Sequence, residues 1–303
     1  MQRIALMCVL YLMHTSLNAC NICGCSVSTG NPGILPNFRS HIVGFRESYR
    51  SFTNEHPVSI LNPEKTYSSD VYAITELWGR WNPLKRLQVF GSLPYNKMNR
   101  QENGKTEQRN GLGDLSLLAN FILFNNMDSV NRKFRQVITA GIGTKLNTGK
   151  YIHDGLPYFQ TGSGTIDYKM YISYTLSRER SGIMTEVSGL YTGTNPEAYN
   201  SGNKINASIK YYSRLGKKNA QFLPYLGFMH EVSGIDHSNG ILQDYTGGRS
   251  TLGTFGLDTY WKQFTLGFSA QAPIAQHLGE GLVKENTRFQ CHLAYIIKTN
   301  SCK

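Results

Sequence analysis

The sequence predicts an all-β protein: a closed up-and-down antiparallel transmembrane β-barrel of about twelve strands with both termini in the periplasm. Three observations lead there. Apolar and polar residues alternate along one segment after another, and the connections between segments alternate short, then long. After the first twenty residues no apolar run reaches the ~18 residues that a membrane helix needs. The alternation is cleanest in three places. Ile166, Tyr168, Met170, Ile172, Tyr174 and Leu176 oppose Thr165, Asp167, Lys169, Ser173 and Thr175. Ile205, Ala207, Ile209 and Tyr211 oppose Lys204, Asn206, Ser208 and Lys210, and Phe264, Leu266, Phe268 and Ala270 oppose Gln263, Thr265, Ser269 and Gln271. Successive strand side chains point to opposite faces, so each segment offers one apolar wall and one wet wall. In lipid, only a closed barrel satisfies such strands without leaving an unpaired edge.

Strands are expected near 41–53, 68–81, 85–97, 111–124, 134–146, 165–177, 182–192, 203–215, 220–232, 249–261, 263–272 and 287–298. The short connections are 82–84, 125–133, 178–181, 216–219 and 261–262; the long ones are 54–67, 98–110, 147–164, 193–202, 233–248 and 273–286. Bacterial barrels keep short turns on the periplasmic side and long loops outside, which gives the orientation and places the chain in the bacterial outer membrane. Thirty glycines, eighteen tyrosines and fourteen phenylalanines suit such a wall.

Residues 1–19 read as an export signal: Arg3 is followed by an apolar stretch from Ile4 to Met13 and by small or polar residues to Ala19. Residues 20–40 form a cysteine-containing head or plug, and 41–303 the barrel. The formal charge of +11 is scattered through strands and turns without a basic block, which argues against nucleic acid and for an anion-attracting lumen or outer-membrane lipid contact.

The wet faces should point inward, so Glu76, Arg80, Asp167, Lys169, Glu186, Lys204, Lys210 and Arg214 are the candidate lumen and selectivity residues. Both signs occur, and buried charges need partners or water. Trp78, Trp81, Tyr95, Tyr191, Tyr212, Tyr260, Trp261 and Tyr295 lie near strand ends and are expected to anchor the barrel at the lipid interfaces. Tyr158 and Phe159, in a long loop, are candidates for solute contact.

Three chemistries compete at Cys20-Asn21-Ile22-Cys23-Gly24-Cys25. The thiolates can converge on a soft ion such as Cu(I) or Zn, with Gly24 allowing the turn and His41 downstream. Alternatively Cys23 or Cys25 can form a disulfide with Cys302 at the periplasmic C-terminus. Leu17-Asn18-Ala19-Cys20 also has the form of a lipobox, in which case Cys20 carries lipid and is no ligand. Asn31 to Phe38 is apolar and turn-rich enough to tuck into the periplasmic mouth.

An enzyme is not expected. His153-Asp154 and Asp236-His237 are acid–histidine pairs in outer loops, as in omptin-like rim proteases, but adjacent residues point apart. His292 lies on the face opposite outward Leu293.

Gly111-Leu112-Gly113-Asp114-Leu115, opening the fourth strand, resembles the glycine-rich strand start of the MetA-pathway phenol-degradation family of outer-membrane barrels. The head from Cys20 to Cys25, followed by Gly33-Ile34-Leu35-Pro36, Gly44-Phe45-Arg46 and Tyr49-Arg50-Ser51-Phe52, is similar to a group of bacterial barrel transporters. The resemblance implies a porin-like transporter for passive or ligand-guided passage of small solutes. It carries over no substrate and no catalytic residue. The rival reading is a barrel-anchored head that binds copper or docks a periplasmic partner; a rim enzyme is the lesser one.

Overall fold

A computed structural model describes residues 40–56, 66–126, 133–153, 156–217 and 220–297. Fifteen ladder segments make one sheet. They form twelve wall strands, because three strands are each interrupted once. The wall runs β1 (His41–His56), β2 (Thr66–Leu84), β3 (Leu87–Glu102), β4 (Lys105–Leu112 and Ser116–Asn125), β5 (Arg135–Lys145) and β6 (Asp167–Arg178). It continues through β7 (Ser181–Tyr191), β8 (Lys204–Ser213 and Leu215–Lys217), β9 (Ala220–Ser233), β10 (Gly248–Trp261), β11 (Phe264–Leu278) and β12 (Val283–Glu285 and Arg288–Ile297). Each strand pairs antiparallel with the next. β1 closes the ring on β12, with His41 opposite Ile297 and Tyr49 opposite Phe289. Gly44 lies so close to Ala294 at this seam that a side chain there would overlap it.

All twelve expected strands are present, and the alternation sets which residues face lipid. On β6, Tyr168 and Met170 are 59% and 69% exposed while Asp167, next to Tyr168, is 2% exposed. Phe45, Leu77, Ile142, Leu226, Phe255, Leu266 and Leu293 continue this exposed apolar surface around the wall. At ~25 cal/mol per Å² such a surface is untenable in water and is the lipid-facing band.

Three belt expectations are corrected. Trp78, Tyr212 and Tyr260 point inward and are 4%, 2% and 8% exposed. They share strand parity with Glu76, Lys210 and Asp258, so the pleat turns them into the barrel. There they join Ile42, Met184, Leu223, Tyr225, Ala294 and Ile296 in an apolar floor at the short-turn end. Trp81, Tyr95, Tyr191, Trp261 and Tyr295 do face outward.

The outer connections are more structured than expected. Residues 98–110 are a β-hairpin continuing β3 and β4, turned at Asn103-Gly104, both with positive φ (49° and 75°). That is the Asn-Gly preference of type I′ turns. Residues 273–286 likewise extend β11 and close through a turn at Gly279–Gly281. A second Asn-Gly turn, Asn239-Gly240, folds 237–242 into a hairpin that pairs with Tyr199–Asn200 of the neighbouring loop. On the other side, the β2–β3 turn is Lys85–Arg86, one step beyond the expected 82–84.

Candidate functional site

Residues 146–153 and 156–166, between β5 and β6, do not stand away from the barrel but fold into its outer mouth. Phe159 is 0% exposed and packs with Phe52, Tyr72, Met98, Leu278 and Val283, with Leu156 and Tyr158 alongside. Asp114 holds this lid from the wall. Its carboxylate accepts the backbone N–H of Gly149 at 2.9 Å, the N–H of Ser163 at 2.8 Å and the Ser163 hydroxyl at 2.7 Å. Gly149 and Gly162 touch at the neck of the loop, where a Cβ on either would collide. Gly113 makes the same allowance on the wall side: a Cβ there would sit 2.6 Å from the Asn96 amide nitrogen and 3.0 Å from Thr161 O. The Gly111–Leu115 motif is thus the interruption in β4 onto which the lid is pinned. Asn96 adds a bond to Thr161 O at 2.7 Å, and Arg109 donates to Phe159 O at 2.6 Å while lying over the Phe159 ring.

Between this lid and the apolar floor lies a cavity of about 200 Å³. Its wall is charged, and register sets the pairs. Arg46 and Glu76 are cross-strand partners, with Arg46 Nε 2.6 Å from Glu76 Oε2. Lys210 Nζ reaches Glu186 Oε2 at 3.0 Å, and Tyr171 OH donates to the other Glu186 oxygen at 2.7 Å. Lys145 Nζ lies 2.7 Å from Asp167 and 3.3 Å from Asp114. A two-arginine, two-glutamate cluster spans the seam. Arg288 donates to Glu231 Oε1 at 2.9 Å and Glu285 Oε2 at 2.6 Å, and Arg50 Nη2 meets Glu285 at 2.9 Å. Such pairing offsets the desolvation cost of holding these ions inside. Tyr72, Ile74, Pro94 and Met98 on one side, Tyr225 and Met229 on the other, and Tyr158 of the lid supply the apolar part of the lining.

The predicted lumen residues all lie on inward faces, but they divide. Glu76, Lys169, Glu186 and Lys210 line the cavity, and Lys169 Nζ bonds Ser116 Oγ at 2.9 Å. Asp167, bonded to Thr165 and to the Gly193 N–H, stands behind Lys145. Lys204 is half-buried at the outer end of β8, and Arg214 half-buried at the break in that strand. Arg80, 2% exposed, lies at the floor end and donates to Ser40 O at 3.0 Å, tying the chain where it joins the wall. Sequence reasoning missed Arg46, Arg50, Asp114, Lys145, Glu231, Glu285 and Arg288, although register sets Arg46 opposite Glu76 and Lys145 opposite Asp167. Tyr158 does line the cavity, under the Arg100 guanidinium at 5.7 Å. Phe159, by contrast, is a buried anchor.

At the rim, His153 pairs with Glu197 at 2.8 Å, to which Tyr151 OH also donates at 2.6 Å. Asp154 lies outside the described residues. Asp236 is 2% exposed and engaged by the Gly202 N–H and Tyr199 OH, so it fastens two outer loops; burial pushes its carboxyl above the ordinary range, against these two bonds. The expected cysteines 20, 23, 25 and 302 and the export signal lie outside the described residues. Cys291 faces lipid on β12. Among the described residues no three His, Cys, Asp or Glu converge as metal ligands.

No family model matches the chain, and no curated protein does. Solved structures are similar in shape. An outer membrane channel from Pseudomonas putida F1 superposes with a TM-score of 0.66 at 16% identity, covering 88% of this chain and 99% of that one. The β-domain of the Bordetella autotransporter BrkA reaches 0.43 at 11% identity, covering 83% and 99%. The CymD monoaromatic hydrocarbon channel reaches 0.38 at 9% identity, covering 86% and 89%; these two scores are too low to carry an argument. The chain has the closed twelve-stranded fold of an outer-membrane β-barrel channel.

Proposed function

We propose that the protein is a gated diffusion channel for small amphipathic solutes, and that the cavity is the stopping point between two gates. The observation that carries this is a charged, tyrosine-bearing cavity inside a membrane barrel, covered outside by the pinned lid and below by the apolar floor. Its charges are largely satisfied by one another, which favours neutral or weakly polar guests of phenolic size over strong ions. Passage is then a matter of lid and floor side chains moving, with Glu76, Lys169, Glu186 and Lys210 as the selectivity residues. The test is planar-bilayer conductance of the refolded protein, with and without residues 20–40, alongside vesicle uptake of phenol. Small, infrequent conductance steps with measurable phenol uptake are expected. Absence of both in either form sinks the channel reading. Steps that grow only on truncation identify the cysteine head as a further plug.

The seam supports a second, compatible proposal for that head. His41 and Ile297 are directly paired, so the segments preceding β1 and following β12 leave the wall side by side. Cys302, five residues past Ile297, is thereby within reach of Cys23 or Cys25. A disulfide across the base of the seam is our reading, ahead of a Cu(I) or Zn site or a lipidated Cys20. Intact-mass analysis after alkylation, with and without reductant, should show one reducible bridge that disappears in Cys302→Ser. A reduced protein that retains one equivalent of copper would assign the thiols to metal instead.

A further inference from the structure

We propose that the outer rim over β9–β12 is a binding site for the phosphate-bearing lipid headgroups of the leaflet around the loop end. This goes beyond the channel reading and rests only on the chain being a membrane barrel. The observation is a row of basic residues, one on each of four adjacent strands: His230, Arg249, His277 and Lys284, all exposed on the outward face.

Register puts them side by side. Arg249 is the cross-strand partner of His277, and the Leu278–Val283 pair that follows brings Lys284 beside His277. His230 pairs with Thr251, two residues along the same face from Arg249, and its ring nitrogen lies 2.9 Å from the Thr251 hydroxyl. Each basic residue ends an apolar outward run. Leu226 and Phe228 precede His230, Leu257 and Phe255 lie below Arg249, Phe268 and Ile274 below His277, and Phe289 below Lys284. The row therefore sits where the lipid-facing band stops.

The neighbouring arc lacks such a row. At the loop ends of β6, β7 and β8 the outward residues are Ile166, Tyr168, Tyr191 and Ile205. Among the described residues, Arg249, His277 and Lys284 take part in no ion pair, whereas Arg50 and Arg288 inside the barrel are held by carboxylates. Glu280, exposed on the turn above, marks the loop side of the row. A guanidinium offers phosphate a two-pronged match, and clustered cations beside a bilayer attract anionic headgroups. Continuity with Phe228, Phe255 and Ile274 gives the acyl chains of the same lipid a surface to lie on, which a free phosphate does not use.

The experiment is native mass spectrometry of the full barrel in dodecyl maltoside micelles with bisphosphorylated lipid A as the probe. Wild type is compared with Arg249→Gln, Lys284→Gln and their double variant, and with Lys97→Gln, an exposed basic residue on β3. A heat-resistant barrel band on gels confirms that each variant is folded. The double variant is expected to retain at least fivefold less lipid A, each single variant an intermediate amount, and Lys97→Gln as much as wild type. Equal retention in the double variant overturns the proposal, as does an equal loss in Lys97→Gln. Displacement of lipid A from wild type by millimolar inorganic phosphate would assign the row to free phosphate and overturn the lipid assignment.

Discussion

Phe159→Ala is expected to open the outer mouth while leaving the wall standing. The ring is fully buried among side chains from five separate strand positions, Phe52, Tyr72, Met98, Leu278 and Val283. Truncating a buried phenylalanine costs about 3–5 kcal/mol in a core that cannot collapse. Here the loss falls on a surface loop whose remaining ties are polar bonds and the partly buried Leu156 and Tyr158, so the lid should detach rather than the barrel unfold. Single-channel conductance should rise several-fold, and the urea midpoint of wall unfolding in lipid vesicles should barely move. Asp114→Asn should give a weaker version of the same change, because it removes the charge facing Lys145 and weakens the bonds from Gly149 and Ser163. Unchanged conductance in both variants would move the constriction to the floor, where Trp78 and Tyr260 become the residues to truncate.

Glu285→Ala should be the most destabilising single change in the wall. Glu285 is 3% exposed and holds Arg50 and Arg288 together across the seam. Removing one partner from a buried ionic cluster leaves an uncompensated charge and costs about 3–5 kcal/mol. Glu231 still faces Arg288, so the lower end of that range is expected. Urea unfolding in vesicles provides the measurement. Adding Arg50→Met to Glu285→Ala should recover part of the loss, since a buried pair replaced by apolar groups is often nearly neutral. A double variant less stable than either single one would show that Arg50 is not the stranded charge.

The wall was legible because lipid imposes its own period on the chain: Tyr168 and Met170 must be apolar and Asp167 must not face outward. The same rule, applied strictly, also places Trp78, because 76, 78 and 80 share one face. Treating Trp78, Tyr212 and Tyr260 as interface anchors let residue type override parity, and the apolar floor was missed with them. Asn103-Gly104 and Asn239-Gly240 were readable turn signals inside segments taken for loops. The lid was harder to see. Leu156-Pro157-Tyr158-Phe159 is an apolar run in a polar connection, but only tertiary packing shows that it turns inward. Asp114 looked like part of a strand start, and its role depends on Gly149 and Ser163, residues 35 and 49 positions away. The charged pairs follow from register, which alternation constrains only to the correct face.

The ring closure also bears on how the molecule is made. The ladder that joins β1 to β12 links chain positions 41 and 297, so the first strand emerges long before its final neighbour. Until then its edge carries unmet backbone donors and acceptors, a template for pairing with other chains. Contacts of such long sequence separation are slow to form because loop-closure entropy is lost before they reward it. Biogenesis therefore has a late, all-or-none step. A chain cut before Val283, and so lacking β12, should accumulate as an open, aggregation-prone sheet and not as a slightly smaller barrel, and anything that speeds delivery of the C-terminal strand should raise the yield of folded protein.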